Sequence, residues 1–335
     1  MVEQTVRALA RLRGMDAGPL GQGLSAENAS ACLHQAIRPL NAASLQAGLE
    51  QAGRLPSSVA IVVPYGVFTT PIEWTALALA GGSRVHLKAP SRDPALVRAL
   101  AQSCVAEGLE VSWSTEKALP EVEAIIGFGS DETISMLKDA NPSTPCVGYG
   151  HRFSVAFVEG DPEVAARALA IDVARYDTRG CMAPVAVFTT ADPGQLGSAL
   201  ARSLADCESR WPRGQVDSAL GPEWRRRVGL ARITGQVWAG SQWAVTAMPS
   251  EYFVPSALPR MITIHAVQGA SDMDTVLAPW RPWLSTCGTD KVDHQPAGFY
   301  RICPLGWMQA PPFPRNHDGR VMLAGLHGAS GGADA

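Results

Sequence analysis

From Val59 to Gly148 the chain alternates short apolar runs with helix-like stretches. This alternation constrains the fold more than any other feature. Val59-Ala-Ile-Val-Val63 has no polar member, which suits a strand buried on both faces. Pro71 stands where a helix can begin, Trp74, Leu77, Ala78 and Ala80 line it, and Gly81-Gly82 ends it. Arg84–Lys88 reads as the next strand, and Asp93-Pro94 opens a helix reaching Ala106. Glu110–Ser114 and Glu123–Ile126 read as strands, Asp131–Leu137 as a helix and Pro145–Gly148 as a fifth strand. Strands joined by helices predict a doubly wound parallel sheet. Ahead of it, Val6, Leu9 and Leu12, then Ala31, Leu33, Ala36 and Leu40, recur at helical spacing on either side of a Gly-rich break at Gly18–Gly23.

The alternation resumes after Phe153, so a second α/β unit is expected. Ser154–Val158, Val185–Thr190, Val237–Ala247 and Met261–Val267 read as strands. Pro162–Arg175, Pro193–Ser209 and Asp272–Trp283 read as helices. The expected division is 1–152, 153–300 and a C-terminal segment 301–335 with a disordered tail past Leu326.

Composition removes several classes of function. Lys and Arg number 28 against 31 Asp and Glu, a balance unlike that of a nucleic-acid or polybasic membrane binder. The most apolar stretch, Val59–Ile72, is broken by Pro64 and Pro71 and is shorter than the ~20 residues a spanning helix needs. The N-terminus lacks the apolar core of a secretory signal. Seven Cys are scattered with no Cys-x-x-Cys pair, which argues against a disulfide framework and a structural zinc site. A reduced, cytoplasmic protein with no bound metal is expected.

Four segments can carry chemistry. Lys88-Ala-Pro-Ser91-Arg92 follows a strand, where open parallel sheets bind ligands. Lys88 and Ser91 suit a ribose there, and Arg84 or Arg92 a 2′-phosphate; the other reading is a solvated strand end. Gly127-Phe-Gly129-Ser130 leads from a strand into a helix, so its glycines admit a ligand close to the backbone and the helix start favours an anion. Alternatively, Ser130 only caps the helix. Tyr176-Asp-Thr-Arg179-Gly180-Cys181-Met-Ala-Pro184 sets a thiol on a loop with Arg175 and Arg179 at hand to favour a thiolate, although most cysteines are small buried hydrophobes. Arg301-Ile-Cys-Pro304-Leu-Gly306-Trp-Met-Gln309, then Pro311-Pro312 and His317-Asp318-Gly319, looks too rich in Pro and Gly for regular structure. His317 is either a base or proton donor, or a cap on an Asp-Gly turn.

Taken together and in this order, these segments resemble the LuxC-type acyl-CoA (fatty acid) reductases of the aldehyde dehydrogenase superfamily. The likeness runs from about Val59 to Gly319. It rests on Lys88-Ala-Pro90-Ser91-Arg92-Asp93-Pro94, Gly129-Ser130-Asp-Glu132, Gly150-His151-Arg-Phe-Ser154, the loop Tyr176–Pro184 and the segment Arg301–Gly319. The loop and the last segment are its specific parts. The resemblance implies an aldehyde dehydrogenase-like fold, with a nicotinamide-cofactor domain, a catalytic domain and a C-terminal segment packed at the cleft between them. It implies that Cys181 attacks a thioester, that NADPH (or NADH) reduces the acyl-enzyme to an aldehyde, and that His317 joins the catalytic set. Lys88, Ser91, Arg92, Gly129 and Ser130 are the implied cofactor residues. The implied partners are an acyl-CoA or acyl-carrier protein and further copies of the chain in a homo-oligomer.

Two departures bear on mechanism. The family's turn Asn, a side-chain donor to the oxyanion, falls at Gly66, so Thr69, Thr70 or backbone must serve. The Glu base of hydrolytic relatives is missing from Gly148-Tyr149-Gly150-His151, as suits a reductase in which water must not cleave the acyl-enzyme. The chain is also short for the family at its N-terminal side. Two other readings stand beside the leading one: an acyl-phosphate reductase of the same superfamily, and a non-catalytic cofactor-binding or scaffold homologue.

Overall fold

The structure, a computed structural model, describes residues 1–293 and 296–326. The expected disordered tail lies outside the described residues. The chain divides into two compact units, one of Met1–Gln22, Ser30–His151 and the chain from Pro312, the other of Gly23–Ala29 and Arg152–Pro311.

The first unit opens with helices α1 (Val2–Arg13), α2 (Ala26–Ile37, whose first residues belong to the second unit) and α3 (Ala42–Ala52). Asn41 and Ser44 close a capping box at the start of α3. There follow β1 (Ser58–Val62), α4 (Thr70–Ala80), β2 (Arg84–Lys88), α5 (Ala95–Val105), β3 (Val111–Ser114), β4 (Ala124–Phe128), α6 (Asp131–Ala140) and β5 (Cys146–Tyr149). All five strands are parallel, in the order β3-β2-β1-β4-β5. The order reverses at β1, so the crevice at the carboxyl ends of β1 and β4 is where such a sheet takes ligands. β4 is buried along its whole length and β1 at all but Val62, which is why both read as unbroken apolar runs. Helix α4 is buried from Pro71 to Ala80 at every position but Glu73.

Gly127 and Gly148 lie opposite each other on β4 and β5. A Cβ at Gly148 would sit 2.1 Å from Ile134 Cγ2, and one at Gly127 2.5 Å from Leu137 Cδ2. The space above this pair of glycines is filled by α6. Gly127 therefore admits the helix, not a ligand as its sequence setting suggested.

The second unit holds β6 (Phe153–Val158), α7 (Pro162–Ala174), β7 (Pro184–Thr189), α8 (Pro193–Arg210), α9 (Gly221–Thr234), β8 (Gln236–Ala239), β9 (Ala244–Ala247), β10 (Met261–Ala266), α10 (Ala270–Leu277), β11 (Leu284–Thr289) and β12 (Arg301–Pro304). The sheet order is β12-β11-β6-β7-β10-β9-β8, parallel except for the antiparallel pair β8–β9. One apolar cluster joins Leu169, Val173, Leu196 and Leu200 to Val187, Ile262 and Ile264. A second joins Phe153, Phe157 and Phe188 to Met273, Leu277 and Leu284. Burying each such side chain contributes ~1.5–3 kcal/mol.

Three sequence readings change in this unit, and two elements were not anticipated. Val237–Ala247 is a hairpin, not one strand, because Gly240 makes room for the Trp243 ring that a Cβ would meet at 2.6 Å. The Asp272–Trp283 helix is α-helical only to Leu277 and continues as a 3₁₀ segment bearing Pro279 and Pro282. Arg301–Pro304, expected to be irregular, pairs with β11 as an edge strand, where a terminal Pro costs no ladder bond. Helix α9 and strand β11 carry no clear pattern in the sequence. After the second unit the chain returns to the first as the short antiparallel pair β13 (Asn316–His317) and β14 (Arg320–Val321).

Candidate functional site

In the first unit the expected cofactor residues gather at one end of the sheet. Val62 pairs with Lys88 on one side and Gly127 on the other, so Lys88, the Ala89–Arg92 turn and the Gly129-Ser130 turn lie beyond the carboxyl ends of neighbouring strands. Lys88 Nζ donates to Ala89 O at 3.0 Å. The Arg92 guanidinium lies 4.9 Å over the Tyr65 ring, an exposed cation–π contact on the turn after β1. Arg84 falls out of this group: it begins β2 and Lys88 ends it, about 13 Å of strand away. Ser130 caps α6, its Oγ accepting from Thr133 N at 3.1 Å. Gly66 has φ +128°, and a Cβ there would meet nothing within 4 Å, so the backbone after β1 is open. Its N–H donates to Gln22 Oε1 at 2.8 Å, and Thr70 Oγ1 donates to Val67 O at 2.8 Å. Two of the groups available to replace the missing Asn are thus committed, one to Gln22 and one within the turn.

His317 lies in the same unit but inside an aromatic cluster. Its ring centre is 4.6 Å from Tyr149, 5.7 Å from Trp74 and 6.1 Å from Phe128, all edge to face. Asp318 and Gly319, both at positive φ, form the two-residue turn between β13 and β14, so the Asp-Gly turn is real and His317 precedes it on a strand. Arg315 Nη1 donates to His317 Nδ1 at 2.7 Å, and Arg315 also pairs with Glu73. Burial, with the Arg315 charge behind it, holds the imidazole well below its ordinary pKa. That environment suits a neutral, packed ring with its proton on Nε2.

In the second unit the thiol of Cys181 is half-buried on the loop before β7. Cys32, Cys104, Cys207, Cys287 and Cys303 are buried. Burial pushes Cys104 up to about 12 and Cys303 to about 11, and raises Cys146, Cys207 and Cys287 as well. Arg179 and Arg175 have partners other than the thiol: Arg179 Nη2 donates to Gln215 O at 2.8 Å, and the Arg175 guanidinium lies 5.7 Å over Trp211.

The loop is held by groups far from it in sequence. Tyr176, Asp177 and Thr178 all have φ between 52° and 61°, a left-handed run that costs ~1–2 kcal/mol per residue without glycine. A buried ion pair fixes it: Arg260 Nε donates to Asp177 Oδ1 at 2.7 Å, and both side chains are about fully buried. Asn28 Nδ2 (3.2 Å) and Gly214 N (2.9 Å) also donate to the Asp177 carboxylate. Arg260 Nη2 reaches Ala174 O and Pro212 O at 3.3 Å each.

The C-terminal motif is fastened to α7. The Asp172 carboxylate accepts from Gly306 N at 2.6 Å and Met308 N at 3.0 Å, and burial pushes its carboxyl up to about 7. Gln309 Nε2 donates to Asp172 O and Arg175 O, both at 3.1 Å. Arg301 donates to Met308 O (2.8 Å) and Trp307 O (2.7 Å), with Met182 Sδ 4.0 Å from its Nη1. Arg301–Gln309 is therefore a folded platform beside the Cys181 loop. Sequence reasoning missed Asn28, Asp172 and Arg260 as site-building residues. Only Asp172 carries a signal, as a carboxylate in the Ala-Leu-Ala-Ile-Asp-Val-Ala run that ends α7.

Among the described residues no helix is long and apolar enough to cross a membrane. A family model described as acyl-CoA reductase (LuxC) matches residues 112–328. A comparison with curated proteins finds no match. Several solved structures share the fold. An oxidoreductase from Marinobacter aquaeolei has a TM-score of 0.74 at 14% identity, over 98% of this chain and 84% of that one. A methylmalonate-semialdehyde dehydrogenase from Oceanimonas doudoroffii has 0.70 at 14% identity, over 98% and 84%. An indole-3-acetaldehyde dehydrogenase from P. syringae, solved in complex with NAD+, has 0.71 at 10% identity, over 91% and 76%. The fold is that of the aldehyde dehydrogenases.

Proposed function

Since the chain belongs to the acyl-CoA reductase (LuxC) family, whose chemistry is aldehyde-related oxidoreduction, we propose that it reduces an acyl thioester to an aldehyde with NADPH through an acyl-Cys181 intermediate. The observation that carries this reading is the loop of Cys181. Of the seven thiols it alone combines partial exposure with a strained, over-determined backbone just ahead of it. Strain held by buried partners is the mark of a functional loop.

The thiolate attacks the thioester carbonyl, the tetrahedral adduct collapses, and the leaving thiolate takes up a proton. The acyl group then remains as a protein thioester, electrophilic enough to accept a hydride. A nicotinamide cofactor suits the carboxyl end of the first sheet on one observation. The open backbone at Gly66 leaves space at the point where strand order reverses. Lys88 and Ser91 would hold the adenosine ribose, Arg92 the 2′-phosphate, and the Gly129-Ser130 turn the approach to the anion. When bound, the cofactor supplies the hydride. His317 enters as a packing group that wedges the ends of β4 and β5, and not as a proton carrier.

Intact-mass spectrometry after mixing with a panel of acyl-CoAs tests the proposal. The expected result is an acyl adduct on Cys181, discharged as aldehyde on adding NADPH, and lost in Cys181→Ala. NADPH-dependent reduction that is unchanged in Cys181→Ala overturns it. Discharge of an acyl phosphate in place of acyl-CoA shifts the substrate class within the same superfamily.

A further inference from the structure

We propose that the backbone N–H of Met182 is an oxyanion donor for the acylation of Cys181, and that Ser154 is the positioning residue that aims it. The inference rests on the reading of Cys181 as the nucleophile. Ser154 lies on β6 and is fully buried. Its Oγ accepts from Thr286 N at 2.9 Å, so its single proton is available to Cys181 O, 2.5 Å away. The β6–β7 register shifts between Ser154 and Val155, and the β11–β6 register shifts between Leu284 and Cys287. The β11–β6 irregularity spans Thr286, whose N–H is given to the Ser154 hydroxyl.

The consequence follows from the peptide plane. The Cys181–Met182 peptide is planar and trans, so its C=O and N–H point in opposite directions. With the carbonyl pulled inward to Ser154, the Met182 N–H is turned away from that buried partner. Among the described residues this N–H donates to no acceptor, whereas the next one, Ala183 N, donates to Gly180 O at 3.1 Å. The Met182 side chain is engaged through Sδ with Arg301. The amide one residue after a nucleophile is joined to it by the shortest covalent path. Other acyl-transfer folds use that amide to stabilise the tetrahedral oxygen.

In the acylation step Cys181 Sγ bonds to the carbonyl carbon and the π pair moves onto oxygen. The Met182 N–H stabilises that oxygen until the C–S bond of the leaving thiol breaks. Alkylation of the same thiol by iodoacetamide forms no such oxyanion. The two reactions therefore separate oxyanion stabilisation from thiolate reactivity and from loop damage.

The experiment compares Cys181 acylation by an acyl-CoA with its alkylation by iodoacetamide, in the full chain and in Ser154→Ala. The expected result is acylation slowed by ~10–10²-fold, short of or equal to the loss of a whole donor, with alkylation little changed. Ser154→Thr, which keeps the hydroxyl, is expected to recover acylation. A chain ligated with an ester in place of the Cys181–Met182 amide removes the N–H and also weakens Cys181 O as the acceptor for Ser154, and it gives the same ratio test should Ser154→Ala not fold. An unchanged acylation rate, or acylation and alkylation falling in step, overturns the inference. Wild-type protein that acylates elsewhere than Cys181 overturns the underlying functional reading instead.

Discussion

Replacing Arg260 with Met probes the ion pair that holds the Cys181 loop. The guanidinium donates to Asp177 Oδ1 at 2.7 Å and spans two backbone carbonyls, Ala174 O and Pro212 O. Met keeps most of the stem but removes all of these donors. Among the described residues the Asp177 carboxylate then keeps Asn28 Nδ2 and Gly214 N as donors, with the Arg213 charge nearby. Breaking a buried pair by deleting one partner costs ~3–5 kcal/mol, because the other charge is left uncompensated. The left-handed run at Tyr176–Thr178 loses one of its fixings at the same time.

For a unit of this size 1 kcal/mol moves the melting temperature by ~2–4 °C, so Arg260→Met is expected to lower Tm by ~6–20 °C. Circular dichroism melts and urea titration measure this directly. The double variant Asp177→Asn with Arg260→Met removes the stranded charge and is expected to recover part of the loss. A single variant that melts within ~2 °C of wild type would refute the reasoning, since the pair would then contribute no more than a surface bridge.

Two further outcomes are expected. Gly148→Ala is expected to destabilise the protein by ~1–3 kcal/mol in urea titration, because its Cβ would meet Ile134 Cγ2 at 2.1 Å; Ile134→Leu, which lacks that methyl, should recover part of the loss, and a neutral Gly148→Ala would contradict the packing. The Asp172 carboxyl is raised in the folded state to about 7, so the folded chain holds a proton that the unfolded chain has already released. Its contribution to stability is full below the ordinary Asp value near 4 and is lost as pH rises through about 7. Asp172→Asn is expected to flatten the fall in Tm across that window, and an unaltered slope would remove Asp172 as its source.

The first sheet was legible because its two central strands are buried on both faces and the helix between β1 and β2 is bounded by Pro and Gly. β1 and β4 can only be apolar throughout, and α4 is bounded by Pro71 and Gly81-Gly82. β11 was not legible for the opposite reason. Leu-Ser-Thr-Cys-Gly-Thr is buried at every position, yet its burial is achieved with small and hydroxyl-bearing side chains that carry no apolar signature. Helix α9 buries only Val228 and Ala231 and spends its surface on arginines paired with Glu223, so its periodicity is faint. Val237–Ala247 misled because both arms of the hairpin are apolar and its four-residue turn, Gly240-Ser241-Gln242-Trp243, carries one glycine and no proline.

The candidate site divides along the same line, between what is near in sequence and what topology brings together. Lys88 with Ser91, and Tyr176 with Cys181, are neighbours along the chain and so were visible as segments. Asp177 meets Arg260 across 83 residues, Asp172 meets Gly306 across 134, and Ser154 links Cys181 to Thr286 only because β6 lies between β7 and β11. None of these pairs leaves a local pattern. What each does leave is a polar side chain in an apolar setting. Asp172 interrupts the buried face of α7, and Ser154 interrupts a strand of Phe and Val. A buried polar group needs a partner, and an isolated one costs several kcal/mol. The amino-acid sequence by itself therefore implies that such residues have distant contacts, although not with whom. In this chain Ser154 ties the thiol loop to β11, and Asp172 ties the C-terminal motif to α7.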